Sequence, residues 1–142
     1  LIRSIDYTER VLADYGRWLD RHAAPDAVVA AYDVGAIGYH GRRAVLDLVG
    51  LNSSEVIPLR RDPRDGLSAD AIAAFRPDYL VTMQDVPLAA YDRILPRYRV
   101  VRSATVAAYR FTPANLTSPP HTYQVSLLEI EWPAPESPSP RR

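Results

Sequence analysis

The alternation of hydrophobic and polar residues divides the chain into helical and extended segments. Between residues 6 and 22, apolar side chains recur at the three- and four-residue spacing of one helix face. The residues on that face are Val11, Leu12, Tyr15, Trp18 and Leu19. Asp6 and Glu9 have the spacing of a capping box, with aspartate where serine or threonine is usual. The pattern therefore predicts an amphipathic helix over residues 6–22.

Three short apolar runs predict strands, the first of them buried on both faces. The runs are residues 27–33, 44–50 and 78–83. Only residues 34–43 separate the first two, a length near the lower limit for a crossover between parallel strands. We expect one or two helical turns in that crossover. Further helices are predicted from a cap at Ser68 to about Phe75, and over residues 86–95 with proline in the first turn.

The last third of the chain is rich in residues that favour β-strands. We expect strands over residues 98–103, 105–111 and 121–132. In the last of these, the apolar positions change from odd to even numbers near residues 127–128. A change of phase of this kind predicts a bulge or a frayed segment at that point.

This order of elements predicts one α/β domain over residues 1–132. Its expected architecture is a small Rossmann-like sheet with flanking helices and an added antiparallel β edge. Residues 133–142 are rich in proline and serine and carry no core residues, so we predict a mobile tail there.

The composition of the 142 residues narrows the classes of function. The formal net charge is +0, from 17 basic and 17 acidic residues, which argues against a general nucleic-acid binder. The absence of cysteine excludes disulfides, thiolate catalysis and cysteine-ligated metals. The three histidines lack metal-ligand spacing, and no G-x-S-x-G motif occurs. We therefore predict no catalytic residue, no metal site and no cofactor in this chain.

Three glycines, Gly35, Gly38 and Gly41, follow the first predicted strand. Their spacing is G-x-x-G-x-x-G, whereas a dinucleotide fingerprint needs G-x-G-x-x-G at the start of a full helix. A packing role is favoured instead. In that interpretation Gly35 allows a tight strand exit, Gly38 lets the short helix approach the sheet, and Gly41 adopts a positive φ at its end.

Two aspartates near these glycines are the candidates for function. Asp33 ends a strand at the edge where α/β sheets place ligands, and Asp47 interrupts an apolar strand, where a carboxylate must be paired or hydrogen-bonded. One interpretation is an ion pair with Arg42 or Arg43 that fixes the loop. The other is a polar pocket for a sugar or a phosphate, formed by Asp33, Tyr39, His40, Arg42, Asp47 and Asn52.

Residues 28–56 resemble a stretch of bacterial polytopic glycosyltransferases of the GT-C class. These are mannosyltransferase-like membrane proteins, related in kind to dolichyl-phosphate-mannose protein mannosyltransferases. Residues 76–81 are also similar to that family, and the resemblance covers about residues 6–112. The matching residues of the first stretch are Gly35, Ile37, Gly38, Tyr39, Arg43, Val45, Leu46, Asp47, Leu48, Gly50 and Leu51.

The resemblance implies a soluble extracytoplasmic domain that follows the last membrane helices of such an enzyme. The donor is then a polyprenyl-phosphate sugar, and the partners are the membrane-embedded part of the same chain and a sugar or lipid-linked sugar. The family's catalytic carboxylate lies in an early loop outside these residues, so no catalytic residue is carried over. The start at Leu1 and not at methionine is expected for either a processed chain or a piece of a longer protein, and the resemblance implies the second. The alternatives are a free-standing α/β small-ligand-binding module, or a structural or partner-docking domain.

Overall fold

A computed structural model describes residues 7–59, 67–83, 86–108 and 121–134. The helix predicted over residues 6–22 is present and begins with a π-helical segment, Thr8–Leu12, which leads directly into α1, Ala13–His22. The elements that follow are β1 (Val28–Ala31), α2 (Val34–Gly41), β2 (Ala44–Asp47), a 3-10 segment (Ser54–Leu59), α3 (Ala69–Phe75), β3 (Tyr79–Val81), α4 (Leu88–Tyr91), β4 (Tyr98–Ala108) and β5 (His121–Ile130).

The strands form one five-stranded sheet in the order β2-β1-β3-β5-β4. β1 pairs in parallel with both β2 and β3, whereas β5 is antiparallel to β3 and to β4. The predicted fold class is confirmed: a small α/β sheet with flanking helices carries an antiparallel edge. The expected parallel pairing of β1 and β2 is also confirmed, and the short crossover between them holds a helix of eight residues.

Helices cover both faces of the sheet, and alternate strand residues enter two separate cores. On one face, Val29, Ala31 and Val81 pack with residues of α1 and α2. On the other face, Ala30, Leu80 and Leu128 pack with the 3-10 segment, α3 and α4. Burial on both faces explains why β1 and β3 are continuous apolar runs and do not alternate.

The antiparallel edge differs from the prediction in two ways. The segments predicted as separate strands, 98–103 and 105–111, are one strand over its described length, β4. The pairing of β4 with β5 shifts register between Val100 and Arg102 of β4. These two residues pair with Leu128 and Leu127 of β5, where the sequence predicted a bulge. The irregularity therefore lies opposite residues 127–128, where it was predicted, but the extra residue is in β4 and not in β5. Successive residues of a strand point to opposite faces of the sheet, so Leu127 faces one core and Leu128 faces the other.

The close approach of α1 and α2 depends on glycine. A Cβ atom on Gly16 would lie 2.8 Å from His40 Cβ and 3.1 Å from the main-chain nitrogen of Gly41. A Cβ atom on Gly41 would make only ordinary contacts, 3.6 Å from Gly16 and 3.7 Å from Leu19 Cβ, and the predicted positive φ at Gly41 is wrong. The left-handed residue is Arg42, with φ 49°, whose exposed side chain meets no packing constraint.

Several predictions fall outside the described residues. They are the capping aspartate Asp6, the end of the segment 105–111, and nearly all of the predicted tail. Among the described residues, no helix is both long enough and apolar enough to cross a membrane.

Candidate functional site

Asp47 ends β2 and is buried, with only 2% of its surface exposed. Its Oδ1 atom accepts hydrogen bonds from the main-chain N–H groups of Val49 (2.9 Å) and Gly50 (3.2 Å). Its Oδ2 atom accepts one from the N–H of Asn52 at 2.8 Å, and a weaker one from the Asn52 side-chain amide at 3.4 Å. The carboxylate thus holds the turn after β2 in place.

The protonation of Asp47 follows from this environment. Burial disfavours the ionised carboxylate, but the main-chain N–H groups of residues 49–52 together outweigh that effect. The pKa of Asp47 is therefore held below its ordinary value. A buried carboxylate surrounded by N–H donors is a structural anion and a poor proton donor at neutral pH.

Of the expected ion pairs, none joins Asp47 to Arg42 or Arg43, all three of which are described. Arg43 turns away from Asp47 towards the end of α1, and its side chain is only 11% exposed. Its guanidinium donates to the main-chain carbonyl oxygens of Asp20, Ala23, Ala24, Gly41 and Arg42, at 2.8 to 3.3 Å. It also lies 3.7 Å from the Asp20 carboxylate. The last carbonyls of a helix lack partners within the helix, and Arg43 supplies those partners for α1.

An open cleft lies where the parallel strands end. It consists of two adjoining hollows of about 300 and 500 Å³, which share Tyr7, Tyr32 and Asp33 in their walls. We call the two hollows together the carboxyl-edge cleft. Its walls come from the residues after β1, β2 and β3 and from the π-helical segment. The other lining residues are Thr8, Leu12, Val34, Gly35, Ala36, Asp47, Val49, Leu51, Asn52, Val81, Thr82 and Met83.

The side chains at the centre of the cleft are held by hydrogen bonds. The Tyr7 hydroxyl donates to Oδ2 of Asp33 at 3.3 Å. The Tyr32 hydroxyl donates to the carbonyl oxygen of Leu67 at 2.7 Å, which fixes the ring in the wall. Thr82 accepts the N–H of Ser126 at 2.8 Å, and this bond ties the wall to β5. The cleft is thus a formed surface and not a gap between loose loops.

The structure brings together three of the six predicted site residues. Asp33, Asp47 and Asn52 all line the cleft. Tyr39, His40 and Arg42 are not among its lining residues. Tyr39 is 81% exposed and lies edge-on against His40, with 4.9 Å between the ring centroids. Since α2 runs back from the end of β1 to the start of β2, Arg42 at its C-terminus lies at the opposite edge of the sheet.

Sequence reasoning missed four polar residues of the cleft: Tyr7, Thr8, Tyr32 and Thr82. Two of them had a local signal. Tyr32 immediately precedes Asp33, and Thr82 follows the third strand, so the rule that placed Asp33 at a ligand-binding edge applies equally to them. Tyr7 and Thr8 had no such signal, because only the packing of the first helix against the sheet brings them to the cleft.

Gly35 also lines the cleft, and neither packing nor backbone conformation requires glycine there. A Cβ atom built on Gly35 would have no neighbour within 4 Å, and its φ is not positive. By contrast, a Cβ on Gly50, which has φ 88°, would lie 2.9 Å from Ile57. The chain can therefore leave β1 at residue 35 without a glycine there, contrary to the predicted role of Gly35.

The described residues offer little for bond-making chemistry. Within them, no group of three or more histidine or acidic side chains is placed to hold a metal ion. The described lining of the cleft consists of one exposed carboxylate, one buried carboxylate, hydroxyl groups, an amide and apolar side chains. Such groups can bind a ligand by hydrogen bonds and by contact with aromatic rings.

Comparison with known families gives one result. A family model described as "Domain of unknown function (DUF8728)" matches residues 2–127. Searches of curated proteins and of solved structures each gave no significant match. The matched residues include the whole lining of the carboxyl-edge cleft.

Proposed function

This chain belongs to the DUF8728 family of domains of unknown function, and from that starting point we propose a function for it. It is a non-catalytic, extracytoplasmic domain of a membrane glycosyltransferase that takes its sugar from a polyprenyl phosphate. Its partner is the membrane-embedded part of the same chain. Within that enzyme, the domain assists the binding of the sugar or the acceptor.

The observation that carries the proposal is the role of the charged residues in the segment that resembles those enzymes. Asp47 binds main-chain N–H groups, and Arg43 binds main-chain carbonyl oxygens. A catalytic carboxylate needs oxygens that a substrate can reach, whereas Asp47 is only 2% exposed and both of its oxygens accept main-chain N–H groups. Residues of this kind suit a scaffold that supports a binding surface, with the chemistry done elsewhere.

A second candidate function is a free-standing small-ligand-binding module. The carboxyl-edge cleft favours it, because α/β sheets bind ligands outside the carboxyl ends of their strands. The same cleft would serve a domain of a larger enzyme equally well. The two candidates therefore differ in what precedes the domain and agree on where a ligand binds.

Reading the gene upstream of the codon for Leu1 separates the two candidates. The proposed function requires several hydrophobic spans of about 20 residues each, in the same reading frame. A start codon immediately before Leu1, with no such spans, would overturn it and leave the free-standing module.

Labelling engineered cysteines at exposed positions, such as Tyr39, with an impermeant reagent on intact cells would then test which side of the membrane the domain occupies.

A further inference from the structure

We propose that the carboxyl-edge cleft binds an uncharged, hydroxyl-rich ligand, a sugar unit without a phosphate group. The inference rests on the proposed function for the source of the sugar, and it adds the class of ligand and the residues that contact it. The polyprenyl phosphate itself is then bound elsewhere in the enzyme, and the domain contacts a sugar of the acceptor or the uncharged part of the donor.

The size and position of the cleft suit a ligand of this kind. Its larger hollow, of about 500 Å³, lies within the range that small-molecule sites occupy. Its walls come from the ends of three neighbouring parallel strands, where the chain leaves the sheet and side chains of separate loops converge. A ligand in the larger hollow would touch Asp33 after β1 and Asn52 after β2, and the largely buried Thr82 lines the smaller hollow beside them.

The polar groups match hydroxyls. Asp33 offers an exposed carboxylate, which accepts hydrogen bonds from hydroxyl groups, and Asn52 offers an amide, which both donates and accepts. The bond from Tyr7 to Asp33 is long, at 3.3 Å, so a ligand hydroxyl can replace it at little loss. The partly buried side chain of Tyr32, fixed through its hydroxyl, lines both hollows and supplies an aromatic part of the wall for an apolar part of a sugar.

The charge of the cleft argues against phosphate. Proteins recognise phosphate mainly through arginine, lysine and main-chain N–H groups. The described residues that line the cleft include no arginine or histidine. The first turn of α2 also lines it, but the exposed carboxylate of Asp33, directly before that turn, would repel an anion. The two arginines between β1 and β2 are not in its lining: Arg43 binds carbonyl oxygens at the end of α1, and Arg42 lies at the far end of α2.

Gly35 provides an independent reason to expect a ligand. Glycine is less favourable than alanine in a helix, yet a side chain on Gly35 would enter open space and meet no backbone strain. Gly35 lies in the wall of the larger hollow of the cleft. Glycine at such a position permits the close approach of another molecule to the main chain.

The test is an NMR titration of the 142-residue chain. The probes are the methyl α-glycosides of mannose, glucose and galactose, with mannose 1-phosphate and inorganic phosphate as charged counterparts. We expect saturable amide shifts at Gly35, Asn52 and Thr82 with at least one uncharged glycoside, and at least tenfold weaker binding of the phosphates. No saturable shift up to about 100 mM glycoside, or stronger binding of phosphate, would overturn the proposal.

Two alanine variants in the same helix sharpen the result. Gly35→Ala places a methyl group in the cleft and should weaken glycoside binding at least tenfold without loss of folding. Gly38→Ala adds the same group outside the cleft, 3.5 Å from Val45, and should bind like the parent. Equal binding by the two variants would contradict the assignment. These measurements need only the domain, so the absence of glycoside binding would overturn this inference alone. The absence of membrane spans upstream of Leu1 would overturn the proposed function and not the binding result.

Discussion

The Asp47 carboxylate accepts a hydrogen bond of 2.8 Å from the main-chain N–H of Asn52, five residues further along the chain. Together with the bonds from residues 49 and 50, this contact closes the turn after β2 around a buried anion. Asn52 is thereby placed in the wall of the carboxyl-edge cleft. A buried structural residue thus positions an exposed one that is available to a ligand.

The first prediction concerns the stability that Asp47 provides. Asp47→Ala removes the acceptor for several N–H groups and leaves some of them without a partner in a turn whose first half is buried. We expect the free energy of unfolding to fall by about 2–4 kcal/mol, measured by urea denaturation. Asp33→Ala is the matched control, because this exposed carboxylate does not cap α2 and should change stability by less than about 0.5 kcal/mol. An Asp47→Ala chain as stable as the parent would show that the turn does not depend on the carboxylate.

The second prediction concerns pH. The pKa of Asp47 is lowered in the folded state, so its contribution to stability is fully present above the unfolded-state pKa of about 4. That contribution is lost as the pH falls through the lower folded-state pKa. The stability difference between the parent and Asp47→Asn should therefore be constant from pH 7 to about pH 5 and shrink on further acidification. A difference that grows in acid would contradict the lowered pKa.

The third prediction concerns the crossing of α1 and α2. Gly16→Ala forces a Cβ atom against His40 Cβ at 2.8 Å, with main-chain atoms of Ala36 and Gly41 at 3.2 and 3.1 Å. Because backbone cannot move aside easily, we expect a loss of about 1–3 kcal/mol in thermal or chemical unfolding. Gly35→Ala is the control: the same change in open space should be neutral or gain up to about 1 kcal/mol. Equal effects of the two changes would mean that the helices can separate freely.

The fourth prediction concerns Arg43. Arg43→Lys keeps the positive charge but loses the planar guanidinium that reaches several carbonyl oxygens at the end of α1. We expect a loss of about 1–3 kcal/mol, with hydrogen exchange accelerated most in the last turn of that helix. Arg42→Lys, at the exposed neighbouring position, should stay within about 0.5 kcal/mol of the parent. If Arg43→Lys is as stable as the parent, the positive charge alone accounts for the stability that Arg43 provides, and the planar guanidinium is not needed.

The parallel half of the sheet could be predicted because its strands are short, apolar and separated by clear turns. The side of the sheet to which each residue of β5 points could not be predicted. Leu127 and Leu128 are both fully buried, because β5 lies between β3 and β4 with helices on either face of the sheet. A strand with two apolar faces gives the same sequence pattern as a strand with a bulge. The actual register shift, at Val101, left no signal in its own strand.

The candidate site was predictable where residues follow strand ends, and it was not where a helix intervenes. Asp33, Asp47 and Asn52 lie at the carboxyl edge as the strand order implies. Tyr39 and Arg42 are near Asp33 in sequence, but a helix of eight residues extends roughly 12 Å and carries them away. The contribution of Tyr7 depends on the packing of the first helix, which no local pattern encodes.

If this chain is, as we propose, a non-catalytic domain of a glycosyltransferase that uses a polyprenyl-phosphate sugar, then transfer depends on the rest of the protein and is aided by this domain. The most direct measurement compares sugar transfer by membranes that contain the whole reading frame, by membranes lacking the segment equivalent to residues 1–142, and by the purified 142-residue chain. The donor is polyprenyl-phosphate mannose radiolabelled in the sugar, with the glucose analogue in parallel. We predict transfer by the first sample, reduced transfer by the second and none by the third. Transfer by the purified chain alone, or no transfer by the whole protein with either donor, would contradict the account.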